Sequence, residues 1–183
     1  METTQNTAQL VKWTIDTMHS EVLFKVKHLV ISTVTGSFKS FTGSASFKEG
    51  SLEGADINFS IDVNSVDTNQ AQRDGHLKSG DFFDAENYPT IDFQSTSFTQ
   101  KDDENYTLVG DLTIKGVTKQ VEINAEYGGT EKDAYGNQKI GFEVTGTINR
   151  KEFGLTYNAI TETGGLAIGE NIKLIANIQL QKS

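Results

Sequence analysis

The chain has 183 residues, with 16 Lys or Arg against 25 Asp or Glu, so its formal charge at pH 7 is −9. It contains no Cys, which excludes disulfide frameworks, cysteine nucleophiles and thiolate metal sites. The acidic balance argues against nucleic acid as a partner, because binding to a phosphate backbone needs clustered basic side chains.

The N-terminal segment 1–10 has neither the basic nor the apolar region of a signal peptide, and we expect it to be a flexible lead into a single domain at 11–183. As numbered, the chain is therefore expected in the cytoplasm. A leader removed ahead of residue 1 would instead make the protein periplasmic or secreted. Unbroken apolar runs such as Leu29–Ile31 are far shorter than the roughly 20 residues of a spanning helix, so we expect no stable membrane insertion.

Apolar and polar residues alternate with a period of two along most of the chain, which predicts β-strands with one apolar face and one solvated face. The pattern recurs in six stretches, at 22–28, 55–63, 108–114, 121–127, 140–148 and 172–180. Strands with a single apolar face are typical of antiparallel sheets. We expect eight to ten of them.

Gly-rich and polar segments separate these strands. Chain reversals are predicted at 48–51, at Gly116 and at 127–129, and polar loop tips at 102–105 and 133–137.

Two stretches are candidates for helix. Thr68 as N-cap predicts a short helical insertion at about 68–80, ending near Gly80. A single turn of helix is also predicted at 29–33.

An open sheet of this size would expose two unpaired edges, which closure removes. We therefore predict an all-β fold, an extended antiparallel lipocalin-like β-barrel of about eight strands with one short helical insertion. The inward positions include several small residues, namely Gly43, Ala45, Ala55, Gly110, Ala125, Gly146 and Ala176. Such positions either accommodate aromatic rings from across the barrel or leave a cavity, and the sequence favours neither.

Motifs for chemistry are absent from the sequence. It has no nucleophile elbow, dinucleotide loop, P-loop or zincin motif, and its histidines, His19, His28 and His76, do not have the spacing of a metal clip. We therefore expect no catalytic residue, no metal and no cofactor. Arg73, Asp74 and His76 form a charged cluster beside apolar residues. It either ties the helix to one end of the barrel through an Arg–carboxylate pair or supplies polar contacts at a pocket mouth.

Six groups of residues, in order, resemble the motifs of a known family. They are 16–28 (DTMHSEVLFKVKH); 36–38 with 41–43; 73–77 (RDGHL) leading into 81–84 (DFFD) and 88–89 (YP); 110–119 (GDLTIKGVTK); 150–155 (RKEFGL); and 168–169 (IG). On these motifs the chain resembles the YceI-like family, the polyisoprenoid-binding, lipocalin-like proteins, from about Trp13 to Leu180.

The resemblance implies an extended barrel whose long apolar pore holds one lipid chain without performing chemistry on it. The implied ligand is a polyisoprenoid, an isoprenoid quinone or a fatty-acid-like lipid, and the implied role is binding, transport or storage. Family members are commonly homodimers, and many are periplasmic or secreted. Because a charge of −9 disfavours docking on an anionic membrane, we expect lipid to be collected through the pore mouth.

Twelve inward-facing residues are expected to line the pore: Val22, Phe24, Val26, Ile57, Phe59, Ile61, Leu112, Ile114, Phe142, Val144, Leu174 and Ile178. Candidates for polar contacts at its mouth are His28, Arg73, Asp74 and His76. Two alternative functions stay open. One is an isomerase or hydrolase that uses a histidine as acid or base beside a carboxylate. The other is a solid-cored, stress-related protein that meets a protein partner through its surface.

Overall fold

Antiparallel strands make up most of the backbone in the computed structural model, which describes residues 9–159 and 167–183. Most of the predicted flexible segment 1–10 lies outside these residues, and the first strand begins at Leu10. The strands are β1 (Leu10–Ile15), β2 (Glu21–His28), β3 (Ser32–Phe38), β4 (Phe41–Lys48), β5 (Asp56–Asp62), β6 (Val66–Asp67), β7 (Thr90–Gln100), β8 (Asn105–Ile114), β9 (Val117–Lys132), β10 (Gln138–Asn149) and β11 (Asn171–Lys182). The α-helix is α1 (Ala71–Lys78), and 3₁₀ turns lie at Val63–Ser65 and Arg150–Phe153.

Eight of these strands close into a ring in the order β1, β4, β5, β7, β8, β9, β10, β11. The ring closes where β11 pairs with β1, with Ile15 opposite Leu180. Nearer its start, β11 also pairs with β2, and β3 and β6 follow β2 outside the ring. The predicted all-β antiparallel barrel of about eight strands with one helical insertion is therefore confirmed.

The two-residue alternation determines which side chains face the interior. In β8, for example, Tyr106, Leu108, Gly110, Leu112 and Ile114 are buried, and the residues that alternate with them are more exposed. Because successive side chains in a strand point to opposite faces, a regular apolar alternation places one dry face toward the barrel axis.

Helix α1 begins later than predicted. Thr68 is not its N-cap, because Asn69 adopts a left-handed φ of 64° and Gln70 is extended, so that the helix starts only at Ala71. Thr68 is instead buried and hydrogen-bonded to side chains of the helix. No helix in the described ranges is long and apolar enough to span a membrane.

Two of the predicted turns take a different form. The segment 127–129 does not reverse the chain; it lies within β9, where Gly128 is the extra residue of a β-bulge opposite the Gly141/Phe142 step. The chain reverses after Lys132 instead. The predicted helical turn at 29–33 is also wrong, because Leu29 and Val30 both have positive φ and form the tight turn of the β2–β3 hairpin.

Candidate functional site

A cavity of about 520 Å³ runs along the barrel axis and is lined almost wholly by apolar side chains. Its volume lies within the range of about 300–1,000 Å³ that is typical of small-molecule sites. All twelve residues predicted to face a pore line this cavity: Val22, Phe24, Val26, Ile57, Phe59, Ile61, Leu112, Ile114, Phe142, Val144, Leu174 and Ile178. The interior therefore contains open space, whereas the alternative of a solid-cored barrel requires a filled interior.

One end of the cavity is closed. There it is lined by Phe47, Ala55 and Phe98, which are all buried. The ring of Trp13 stacks on Phe47 with centroids 5.6 Å apart, and Phe98 stacks on Tyr106 at 4.8 Å. We call this the blind end.

At the opposite end the lining includes exposed side chains, among them His28, His76 and Tyr157. Elements outside the ring contribute here, because Leu77 belongs to α1 and Phe82 to the segment after it. We call this end the mouth. Strand alternation could not find Leu77 and Phe82, since helices and loops do not follow a two-residue period.

Inward-facing glycines make room for aromatic rings from neighbouring strands. Phe24 lies over Gly36, its partner on β3, so closely that a Cβ there would collide with the ring. Gly43 and Phe59 form a similar pair, with a Cβ position only 2.7 Å from the ring. Small inward residues thus serve adjacent aromatics, and the cavity remains alongside them.

The predicted cluster on α1 divides between two roles. Arg73 lines the cavity, whereas Asp74 is not among its lining residues. The carboxylate of Asp74 accepts hydrogen bonds from the backbone N–H of Thr68 at 2.8 Å and from its hydroxyl. Arg73 donates through Nε to the Thr68 hydroxyl and through Nη2 to the Thr68 carbonyl, each at 2.7 Å. The helix is therefore tied to the barrel through Thr68 and not by a direct Arg–carboxylate pair.

The three histidines lie in different surroundings. His76 packs edge-on against Phe82 and Tyr157 at the mouth, and its Nε2 is 2.9 Å from a carboxylate oxygen of Asp81. His28 also lines the mouth, whereas His19 lies outside the cavity. In the described part of the chain, no group of three or more His, Asp or Glu side chains is placed to hold a metal ion.

The sequence did not single out Arg150 as a site residue, yet it organises the mouth. Its side chain lines the cavity and is only 3% exposed. The guanidinium donates to the carbonyl oxygens of Leu155, Tyr157, Ile168 and Gly169, at 2.6 to 3.3 Å. Burial lowers the pKa of Arg150, and the negative charge of Glu170 opposes that shift.

Arg150 therefore joins the segment after β10 to the segment before β11. The signal available in the sequence was a charged residue at the end of an alternating strand, followed by a phenylalanine and a glycine. In the structure Phe153 is buried and Gly154 is left-handed.

Asp16, in the connection from β1 to β2, marks a second polar cluster on the barrel wall. Its carboxylate accepts from Lys139 Nζ at 2.7 Å and from the backbone N–H of Met18 at 3.1 Å, and it lies 2.8 Å from Nδ1 of His19. The hydrogen bond from Lys139 is the main cause that lowers the pKa of Asp16 to about 2.

Comparison with known proteins gives concordant matches. The family model of the YceI-like domain matches residues 13–180. A UPF0312 protein of Staphylococcus epidermidis is 37% identical over 171 residues, covering 93% of this chain and 97% of the relative.

Among solved structures, the YceI protein of Campylobacter jejuni is 35% identical with a TM-score of 0.74, over 86% of this chain and 90% of that one. A polyisoprenoid-binding domain from Saccharophagus degradans shares the fold, with a TM-score of 0.69 at 16% identity over 94% and 99% of the two chains.

Proposed function

The chain belongs to the YceI-like family, and from this premise we propose that it binds one long apolar lipid inside the barrel without chemical change, as a carrier or store. The ligand class is a polyisoprenoid, an isoprenoid quinone or a fatty-acid-like lipid. The observation that carries the proposal is the apolar cavity of about 520 Å³, closed at the blind end and reaching solvent-exposed side chains at the mouth. The polyisoprenoid-binding domain with the same fold supports the choice of ligand.

The binding energy available from such a cavity is sufficient. Each buried CH₂ contributes about 0.8 kcal/mol, so an isoprene unit of five carbons contributes on the order of 4 kcal/mol before costs. Association and ordering offset at least about one such unit. Three enclosed units, about 12 kcal/mol before these costs, therefore reach about −8 kcal/mol, which is micromolar affinity, with few polar contacts.

The polar side chains of the mouth suit the head of such a ligand. His28, Arg73 and His76 line the cavity where it meets solvent, so a chain inserted toward the blind end would leave its polar end among them. Cationic and imidazole donors favour an oxygen-rich head group such as a phosphate, carboxylate or quinone.

The direct test is the identity of the bound molecule. Protein purified from its host is extracted with organic solvent, and mass spectrometry should find a long-chain lipid in near-stoichiometric amount. Added polyprenyl compounds should raise the melting temperature, because a ligand that binds only the folded state stabilises it. Absence of lipid together with an unchanged melting temperature would refute the proposal.

A blocked-pore variant tests the location of the ligand. Val144→Trp places a large ring in the cavity, whereas Thr147→Trp puts the same ring on the exposed face of β10. Lipid binding should be lost in the first variant and kept in the second. Equal binding by both would place the ligand elsewhere.

The proposed assembly is a homodimer, as is common in the family. Light scattering coupled to size exclusion should give twice the mass of the chain. A monomer at micromolar concentration would contradict this.

One observation favours a second candidate, acid–base catalysis on a bound ligand. His76 and Asp81 lie 2.9 Å apart at the mouth, which is the arrangement of an oriented histidine base. If this pair acts chemically, purified protein should convert the extracted lipid, and His76→Gln should abolish conversion while retaining binding. Recovery of unaltered lipid after prolonged incubation would exclude it for that lipid.

A further inference from the structure

The tip of the β2–β3 hairpin exposes three consecutive apolar side chains. Leu29, Val30 and Ile31 are 43%, 79% and 86% exposed. Contiguous exposed apolar residues usually mark a contact surface, because an exposed hydrocarbon side chain gains free energy when it leaves water. We call these three residues the hairpin tip.

The backbone of the tip is unfavourable for the residues it holds. Leu29 and Val30 have φ values of 52° and 65°. Backbone at positive φ favours Gly and Asn, and a β-branched residue such as Val is an outlier there. Side chains that strain a turn while remaining in solvent are explained if they act on something outside the fold.

The tip is fixed beside the mouth. The N–H of Leu29 donates to the carbonyl of Ala167 at 2.8 Å, and the N–H of Gly169 donates to the carbonyl of Lys27 at 2.9 Å. Ala167 and Lys27 both line the cavity. Whatever the tip contacts is therefore brought next to the opening.

The charge of the hairpin itself differs in sign from that of the whole molecule. Between Val22 and Phe38 the hairpin carries Lys25, Lys27 and His28 and no carboxylate, although the chain has a net charge of −9. Lys25 also lies directly opposite Lys173 of β11. Like charges at opposed positions destabilise a sheet. A partner of negative charge outside the fold would relieve the repulsion between these two lysines.

We propose that the hairpin tip docks the mouth onto a lipid bilayer with anionic head groups, inserting its apolar side chains while the lysines meet the lipid phosphates. Apolar insertion combined with basic flanks is the chemistry of interfacial membrane binding. The net charge of −9, which by itself disfavours docking on an anionic membrane, acts against contact through the barrel wall and leaves the basic hairpin as the face that can approach, so the molecule is oriented tip-first. Collection of ligand from the bilayer rests on the proposed function, whereas docking itself is measured separately.

The experiment is flotation of the protein with vesicles of phosphatidylcholine alone or mixed with phosphatidylglycerol. We expect binding to the mixed vesicles that falls with salt. Val30→Ser/Ile31→Ser should weaken it about tenfold or more, and Lys25→Gln/Lys173→Gln should remove most of its salt dependence. The matched control is Tyr135→Ser, at a loop tip at the opposite end of the barrel and 90% exposed, which should bind as the unaltered protein does.

A second variant separates docking from folding. Leu29→Asn/Val30→Gly places residues that tolerate positive φ at both positions and removes two apolar side chains, so the variant should be more stable yet float poorly. Binding of a short polyprenyl alcohol in solution should be unchanged, which distinguishes failure of docking from failure of the proposed function. Docking is overturned if the protein does not float with anionic vesicles or if the tip variants float as the unaltered protein does. It is also overturned if the tip variants change only the oligomeric mass of the protein in solution, because the tip would then be a self-association surface.

Discussion

Individual polar side chains connect strands that the hydrophobic pattern alone would leave independent. Asp16 joins the β1–β2 connection to β10 through Lys139, with both side chains mostly buried. A carboxylate that accepts several hydrogen bonds is held in its charged form, which is why its pKa falls to about 2.

This cluster predicts a specific dependence of stability on pH. Because the pKa of Asp16 is lower in the folded chain than its ordinary value of 3.8, its contribution is complete above about pH 4 and is lost as the pH falls through about 2. The shift corresponds to roughly 2 kcal/mol. In urea titrations between pH 6 and 2, Asp16→Asn should be less stable at pH 6 and should approach the unaltered protein near pH 2. Parallel pH profiles would contradict the assignment.

Replacing Arg150 should lower the free energy of unfolding by more than replacing Asp16 does, and the loss should not depend on pH near neutrality. In Arg150→Met the side chain stays apolar, but four carbonyl oxygens lose their shared donor. Since each buried group left unpaired costs about 1–3 kcal/mol, we expect a loss of at least about 3 kcal/mol. The control is the neighbouring Lys151→Met, whose ion pair with Glu170 is partly exposed and should contribute less than about 1 kcal/mol. Similar losses in both variants would show that Arg150 has no special role.

At the scale of the strand, the contacts between aromatic rings and glycines control the shape of the interior. Gly36→Ala should force the ring of Phe24 off its position, because the new Cβ would occupy the space of the ring. Overpacking of this kind costs about 1–3 kcal/mol, measurable by chemical denaturation.

The matched substitution Gly75→Ala lies in α1 with nothing within 4 Å. It should instead stabilise the protein by about 0.5–1 kcal/mol, because alanine is the better helix former. An unaltered stability in Gly36→Ala would show that the ring moves without cost.

The elements also show where sequence reasoning succeeds and where it fails. Alternation identifies the inward side of a regular strand, and the hairpin predicted at Gly116 is present, with Lys115 and Gly116 at positive φ. The predicted chain reversal at 127–129 is wrong, because a glycine pair suits a bulge as well as a turn and the choice depends on the partner strand. The prediction of Thr68 as the N-cap of α1 is also wrong, because this threonine is buried against the helix instead.

For the molecule as a whole, the need to remove sheet edges was sufficient to predict a closed barrel. The volume of its interior was not predictable. It depends on rings such as those of Phe24 and Phe59 lying over glycines of the next strand, and cross-strand register is not visible in one sequence. Two residues of the mouth, Arg150 and Tyr157, were missed for a different reason, since they come from segments without periodicity.

A cavity with one blind end predicts a limit to chain-length selectivity. Across a series of prenyl or alkyl chains with the same head group, affinity should rise by about fourfold for each added CH₂ while the chain still extends into the cavity. It should then level off once the chain reaches Phe47 and Phe98. Calorimetry or displacement of a fluorescent lipid measures the series. A continuous rise beyond the plateau would mean that the blind end opens.

The pairing of β1 with β11 affects the time at which the site comes into existence. Ile15 meets Leu180 only after β11 has left the ribosome, and the cavity lacks one wall until β11 is in place. Pairing between such distant segments is intrinsically slow, because loop closure precedes any stabilising contact. Until β11 pairs, the chain therefore has no enclosed interior, and uptake of a ligand belongs to the closed barrel.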